Sequence, residues 1–263
     1  MSFLKLKEVT LQFGGVTAVD NISFEVEEGE VFSLVGPNGA GKSTIFNILS
    51  RFYKPNNGEI IFDGKNLLEK QSHEVASLGI ARTFQNIELF EQATVLQNLL
   101  VARQTHRRSN PLSEMLFLPF VKKEEYRHRL KVEKVIDFLD LQAYRQKFIS
   151  GLPYGVRKVV ELGRALSIEP KLLLLDEPAS GLSVEETQDV AFWIEDIKKV
   201  ITHLKSKNVI LTQNKNVEKF FNNTVHYVTA AGVTGTIVYQ LNTEGSDEAK
   251  VTGVGNIDVI TDQ

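Results

Sequence analysis

Gly36-Pro37-Asn38-Gly39-Ala40-Gly41-Lys42-Ser43 is the stretch on which the fold of this chain turns. It satisfies G-x-x-x-x-G-K-[ST] at every fixed position. Before it lies Val31-Phe32-Ser33-Leu34-Val35, a short apolar run suited to a buried parallel strand. After it, Ser43 to Arg51 reads as a helix that takes in Thr44. The glycines let the backbone wrap an anion, with successive N–H groups turned inward. Lys42 can reach the outer phosphates of a nucleotide, and the Ser43 hydroxyl can serve Mg²⁺. The positive end of the following helix adds to the same site. Phosphate binding follows from this motif; the kind of NTPase does not.

Upstream, Leu4, Leu6, Val9 and Leu11, then Ile22, Phe24 and Val26, predict antiparallel strands joined at Phe13-Gly14-Gly15. Downstream, Glu59 to Phe62 predicts another strand, closed by the turn pair Asp63-Gly64. Much further on, Leu172-Leu173-Leu174-Leu175 is a buried strand ending in Asp176-Glu177. A strand-end acid such as Asp176 suits Mg²⁺ held through water, and Glu177 suits a general base for an attacking water. Another strand is expected at Val209 to Leu211, and short strands or a hairpin from Val225 to Asp262.

Between these strands the periodicity becomes helical. Val95, Leu96, Leu99 and Leu100 form one stripe; Val132, Val135, Ile136 and Leu139 form another. The polar, basic stretch from Arg103 to Glu125, interrupted by Pro111 and Pro119, reads as a loop-rich surface insertion. Its basic residues, with Arg127 and Arg129, read as a solvated helical face, the alternative being a surface for a partner or lipid headgroups. The expected architecture is an α/β core preceded by a small antiparallel sheet and interrupted by a helical subdomain at about residues 86–167.

Composition narrows the field. With 263 residues and 42% hydrophobic content, the chain can bury a substantial core. A net charge of −3 gives no reason to expect nucleic acid as a partner, and the absence of cysteine excludes disulfides and thiolate metal sites. No apolar run approaches the roughly 20 residues that cross a bilayer, and the first residues lack the layout of a signal peptide. The chain reads as cytosolic, so that a membrane role would come through a partner.

Together the two phosphate motifs and four further segments resemble ABC transporter ATP-binding subunits, from about residue 3 to about residue 195. The resemblance implies a P-loop NTPase core, an N-terminal antiparallel β-subdomain and an inserted α-helical subdomain. It puts Phe13 against adenine, with Gly36, Pro37, Asn38, Gly39, Ala40, Gly41, Lys42, Ser43 and Thr44 around the phosphates. Arg82-Thr83-Phe84-Gln85-Asn86 looks like the Q-loop, where Gln85 meets Mg²⁺ and the attacking water. Leu152-Pro153-Tyr154-Gly155-Val156 stands at the signature, which in the family faces the γ-phosphate held by the opposite subunit. Pro153 and Val156 depart from the usual Ser and Gln. Ala179-Ser180-Gly181-Leu182-Ser183 resembles the D-loop.

The resemblance further implies ATP and Mg²⁺, a head-to-tail dimer with a second such subunit, and membrane-spanning permease partners on the inner face of the cell membrane. Phe13-Gly14-Gly15 with Ala18-Val19-Asp20, the Arg82 to Asn86 phrase, the Leu-Pro-Tyr-Gly signature and the long insertion from Arg103 to Glu125 are most like the branched-chain amino-acid importers. The likeness fails beyond residue 213. Asn214 falls where the family has a switch His, and residues 214–263 diverge. Asn can donate one hydrogen bond but cannot carry charge or shuttle a proton. The expected function is ATP hydrolysis energising import, the alternative being a subunit that binds ATP with little turnover. A soluble relative acting on DNA or ribosomes remains a third class, disfavoured because the chain has neither paired cassettes nor a long coiled coil.

Overall fold

The computed structural model describes residues 2–107, 109, 115, 119–201, 208–213, 224–228, 234–238 and 250–251. Arg108, Pro111, His203 and Asn214 lie outside the described residues. The chain divides into two compact units, Met1–Gln71 with Lys198–Gln263, and Ser72–Ile197.

In the first unit, β1 (Leu4–Phe13) and β2 (Val16–Val26) form the expected antiparallel hairpin. Its apolar residues step by two except from Leu6 to Val9 and from Val19 to Ile22. The pairing register slips between those positions, and Glu8 and Asn21 sit at φ 49° and 47°. Each slip inserts a residue, which returns the following apolar side chains to the buried face. The irregular backbone is anchored locally: Glu8 N–H donates to Ser23 Oγ at 2.8 Å, and Asn21 N–H donates to Thr10 Oγ1 at 3.0 Å. β4 (Asn57–Phe62) adds to the other side of β1, and the Asp63-Gly64 turn leads into β5 (Lys65–Asn66). Both turn residues have positive φ, as a two-residue hairpin turn requires.

The same unit holds β3 (Val31–Val35) and α1 (Lys42–Leu49). β3 pairs in parallel with β8 (Asn208–Gln213) on one side and β9 (Thr224–Val228) on the other. β9 continues antiparallel into β10 (Thr234–Val238) and β11 (Lys250–Val251), as the Val- and Thr-rich sequence predicts. His226 lies within β9, a sheet position as expected. The Phe24 and Phe32 rings stack at 5.0 Å between β2 and β3.

In the second unit, β6 (Ile80–Thr83) pairs in parallel with β7 (Leu172–Asp176), all five residues of which are buried. Around them lie α2 (Ser72–Leu78), α3 (Val95–Ala102), α4 (Pro119–Phe138), α5 (Tyr154–Ser167) and α6 (Val184–Ile201). Thr94 and Gln97 cap α3 reciprocally, an arrangement worth about 1 kcal/mol. Of the predicted stripes, Val95, Leu96, Leu99, Val132, Ile136 and Leu139 are buried while Leu100 and Val135 are half-buried, and Gly163 lets α5 approach Leu99 and Leu139 closely. The sequence reading did not anticipate α2, β6 or α6.

One expectation is overturned. Arg103 to Glu125 is not a loop-rich surface insertion throughout, because residues 119–125 are the first turns of α4. Pro119 was read as a breaker, but proline fits the first helical turn, where its missing N–H has no partner to lose. Arg103 also leaves the basic surface cluster. It is buried in a 3₁₀ turn, with Nη1 donating to the Ser167 carbonyl at 2.7 Å and a Glu169 carboxylate oxygen at 3.2 Å. Lys122, Lys123, Arg127 and Arg129 are exposed, as a solvated face would be.

Candidate functional site

The glycine-rich loop belongs to the first unit and connects β3 to α1. Gly39 and Gly41 sit at φ 82° and 84°, conformations that side chains resist. Gly41 has a second constraint, since a Cβ there would stand 2.5 Å from the Ala18 carbonyl oxygen of β2. The loop is thus pressed against a neighbouring backbone, and its path depends on having no side chain at that point. Lys42 is only 8% exposed. Its Nζ folds back to donate to the carbonyls of Gly36 and Pro37, at 2.6 and 3.0 Å. Ser43 and Thr44 follow in the first turn of α1, which carries no acidic residue to compete with an anion.

Phe13 ends β1 in the same unit and is 47% exposed. Tyr53 packs edge-on against it with centroids 5.1 Å apart. Nothing in the sequence pattern flagged Tyr53, which follows α1 by four residues and meets Phe13 only in space.

The acidic half lies in the second unit. Asp176 ends β7 and is 3% exposed, and its Oδ2 accepts from Arg82 Nη2 at 2.8 Å. The register between β6 and β7 sets this contact, because Arg82 lies opposite Leu174, two residues before Asp176. Residues two apart on a strand share a face. The Arg82 guanidinium also lies over the Phe84 ring, 5.1 Å from its centroid. Glu177 stands at φ 46°, a strained backbone for a residue with a Cβ, of the kind that gathers at functional sites. Its Oε2 accepts from Gln85 Nε2 at 3.3 Å. Gln85, Asp176 and Glu177 are therefore gathered at the ends of two adjacent strands.

Two further charged residues of this cluster escaped the sequence reading. Lys158 Nζ donates to the Gln85 carbonyl at 2.9 Å and to the Phe84 carbonyl at 3.5 Å. Glu161 Oε1 accepts from the Phe84 N–H at 3.2 Å. Burial pushes the Glu161 carboxyl above the usual carboxylate range and the Lys158 ammonium below the usual lysine range. The signal was available as two opposite charges at i and i+3 in the helix that follows the signature, but such pairs usually face water.

At the signature, Pro153 precedes α5 and Leu152 is buried. The Tyr154 ring packs on Gly181, and its hydroxyl donates to the Ser180 carbonyl at 3.5 Å. Gly155 is buried against the carboxylate of Glu186, and Val156 is half-buried. Ser183 and Glu186 cap α6 reciprocally, through N–H groups at 2.9 and 3.3 Å. The signature and the D-loop segment are thus packed together through Tyr154, Gly155 and Gly181.

Residues 19–180 match the family described as ABC transporter. The chain belongs to the ABC transporter family. BraF of Pseudomonas aeruginosa, a high-affinity branched-chain amino acid transport ATP-binding protein, is 36% identical over 205 residues, 78% of each chain. LivG of Escherichia coli, of the same description, is 34% identical over 74% of this chain and 76% of its own. XylG of Sulfolobus acidocaldarius, a xylose/arabinose import ATP-binding protein, is 32% identical over 76% and 78%. Among solved structures, the ADP conformation of an ATP-binding cassette of an ABC transporter superposes with a TM-score of 0.72 at 28% identity, covering 90% of this chain and 91% of that one. A nucleotide-free ATP-binding cassette gives 0.71 at 28% identity, over 89% and 90%.

The donors available to a metal in this ABC cassette suit the one the family implies. The Ser43 hydroxyl in the first unit, and the Gln85 amide and Asp176 carboxylate in the second, each offer a hard oxygen of the kind that favours Mg²⁺ over softer metals. Among the described residues no cluster of three His, Cys, Asp or Glu side chains could cage a metal. Mg²⁺ does not need one, since it takes few protein ligands beside phosphate and water.

Proposed function

We propose that this ABC cassette hydrolyses ATP to drive import of branched-chain amino acids, as one half of a head-to-tail dimer beneath membrane-spanning permease subunits. The observation that carries the hydrolytic part is the pairing of Gln85 with Glu177 beside the buried Asp176. The solute class is supported by the names of BraF and LivG and by the Phe13-Gly14-Gly15 and Leu-Pro-Tyr-Gly segments. XylG, only slightly less similar, is named for sugars, which fits a cassette whose solute is chosen by other subunits.

Phe13 stacks on the adenine, a contact worth about 1–3 kcal/mol between bases and aromatic side chains in nucleic-acid binders. The backbone from Gly36 to Thr44 cradles the phosphates, and Lys42 exchanges its loop carbonyls for the outer phosphate oxygens. Ser43, Gln85 and Asp176 would hold Mg²⁺, which would supply charge neutralisation on the transferring phosphoryl group. Gln85 orients a water, and Glu177 accepts its proton. Catalysis rests on positioning and charge, because phosphoryl transfer asks little covalent chemistry of the protein. Asn214 stands in the sequence where the family has a His, and its neutral amide can neither carry charge nor shuttle a proton, so turnover is expected to be slower than in a His-bearing cassette.

Leu152 to Val156 of the second subunit face the γ-phosphate across the dimer. The α5 N-terminus favours an anion, although Pro153 removes the usual hydroxyl. ATP favours the closed dimer and its hydrolysis removes that preference, so the cycle is a shift between two states of different affinity. The helical subdomain at about residues 86–167 carries the movement to the permease, and the cassette sits peripherally on the inner face of the membrane. Among the described residues no helix is long and apolar enough to cross a membrane.

The test is affinity capture of the Glu177→Gln variant from membranes with ATP, followed by identification of the integral subunits retained. Retention of a permease that imports radiolabelled leucine supports the proposal. Retention of a sugar permease removes the solute class, and the absence of any integral protein removes the transport role.

A further inference from the structure

The helix that begins at the signature is bound to the Q-loop through the backbone of the latter. Lys158, Glu161 and Arg164 are spaced three apart on α5 and reach into the segment 84–88. Lys158 donates to the carbonyls of Gln85 and Phe84, Glu161 accepts from the Phe84 N–H, and an Arg164 guanidinium nitrogen donates to the Glu88 carbonyl. The peptide groups flanking Gln85 thus find their partners on α5 instead of in the β6–β7 ladder, which ends at Thr83. Lys158 and Glu161 are 6% and 1% exposed. Burying two charges costs desolvation that apolar side chains of the same volume would avoid. What the charges give in return is direction, because charge-assisted hydrogen bonds are shorter and stronger than neutral ones.

We infer that Lys158 and Glu161 are positioning residues for Gln85, coupling the signature at the start of α5 to the Gln85–Glu177 pair of the same protomer. Tyr154 and Lys158 are one helical turn apart, so a shift of the signature carries the Lys158 and Glu161 side chains with it. A helix turn is stiff on this length scale, and it holds the Phe84 N–H together with the carbonyls of Phe84 and Gln85. An anion presented to the signature by a second copy of this chain therefore adjusts the amide of Gln85 at the other nucleotide. The inference rests on the roles proposed above for Gln85 and Glu177.

The experiment is a double-mutant cycle on the full chain, comparing the parent, Lys158→Met, Gln85→Ala and the combination. Nucleotide affinity and steady-state hydrolysis are both measured. Lys158→Met is expected to leave the nucleotide Kd within about twofold while lowering kcat about tenfold, since small misplacements of a catalytic group cost one to two decades. In the Gln85→Ala background the same substitution is expected to have no further effect on kcat, and Lys158→Arg is expected to restore most of the parental rate. An equal loss in both backgrounds would overturn the inference, as would a loss of affinity matching the loss of kcat. If Gln85→Ala alone leaves kcat intact, the catalytic reading of Gln85 fails, and the coupling with it. Should Lys158→Met not fold, Lys158→Gln goes through the same cycle under the same criteria.

Discussion

Arg82→Met tests the buried electrostatics of the acidic cluster. In the structure the Arg82–Asp176 pair is 2.8 Å apart, with side chains 9% and 4% exposed. Screening by water is therefore weak, and the guanidinium is an immediate partner of the Asp176 carboxylate. Met fills much of the space of the arginine stem but leaves that carboxylate without this partner. Removing one member of a buried pair costs about 3–5 kcal/mol. In a chain of this size each kcal/mol moves Tm by about 2–4 °C, so the variant is expected to melt about 10 °C lower without ligand. Asp176→Asn added to Arg82→Met should recover most of the loss, because the stranded charge disappears. Mg²⁺ with nucleotide should stabilise Arg82→Met more than the parent, since it brings a cation back to Asp176. The assay is thermal denaturation of the three proteins with and without Mg²⁺ and ADP. If Arg82→Met melts within about 2 °C of the parent, the pair contributes less than about 1 kcal/mol and the reasoning is refuted.

Three other outcomes follow from the geometry. Gly41→Ala forces a Cβ to within 2.5 Å of the Ala18 carbonyl at φ 84°, a conformation costing about 1–2 kcal/mol before any clash, so calorimetric titration should show ATP affinity falling by at least about tenfold. Asn214→His is expected to raise single-turnover hydrolysis, and equal brisk turnover in both proteins would show that the switch position does not limit the rate. Glu133 is held below the usual carboxylate range, first by its hydrogen bond from Arg145, so its folded value is depressed and its contribution to stability is present above the ordinary value of 4.5. That contribution is lost as pH falls below 4.5, and with both partners partly exposed it is worth no more than about 1 kcal/mol. Chemical denaturation from pH 7 to pH 3 should therefore show a shallower acid decline for Glu133→Gln than for the parent.

The parts of the fold legible in the sequence were those dictated by local rules. Gly36 to Ser43 must be glycine-rich because a backbone passes close by. Leu172 to Leu175 must be wholly apolar because the strand is buried on both faces. Even the three-residue steps at Leu6–Val9 and Val19–Ile22 recorded the bulges. What stayed hidden depended on contacts distant in sequence. Lys158 and Glu161 look like solvated helix charges until residues 84–88, some seventy positions earlier, are folded against them. Arg103 looks like one more surface base until Ser167 and Glu169 enclose it. Pro119 misled because a proline that opens a helix and one that ends it are identical in sequence. Tyr53 carried no pattern at all, and its place beside Phe13 comes from the path of the chain after α1.

The central claim is that the loop at Lys42 and the acids at 176 and 177 serve one magnesium-bound triphosphate. Isothermal titration of the purified chain with ATP, with and without Mg²⁺, tests it most directly. The account predicts saturable binding that Mg²⁺ strengthens and that Lys42→Ala weakens by at least about tenfold. Absence of affinity for any adenine nucleotide in the presence of the metal would contradict it.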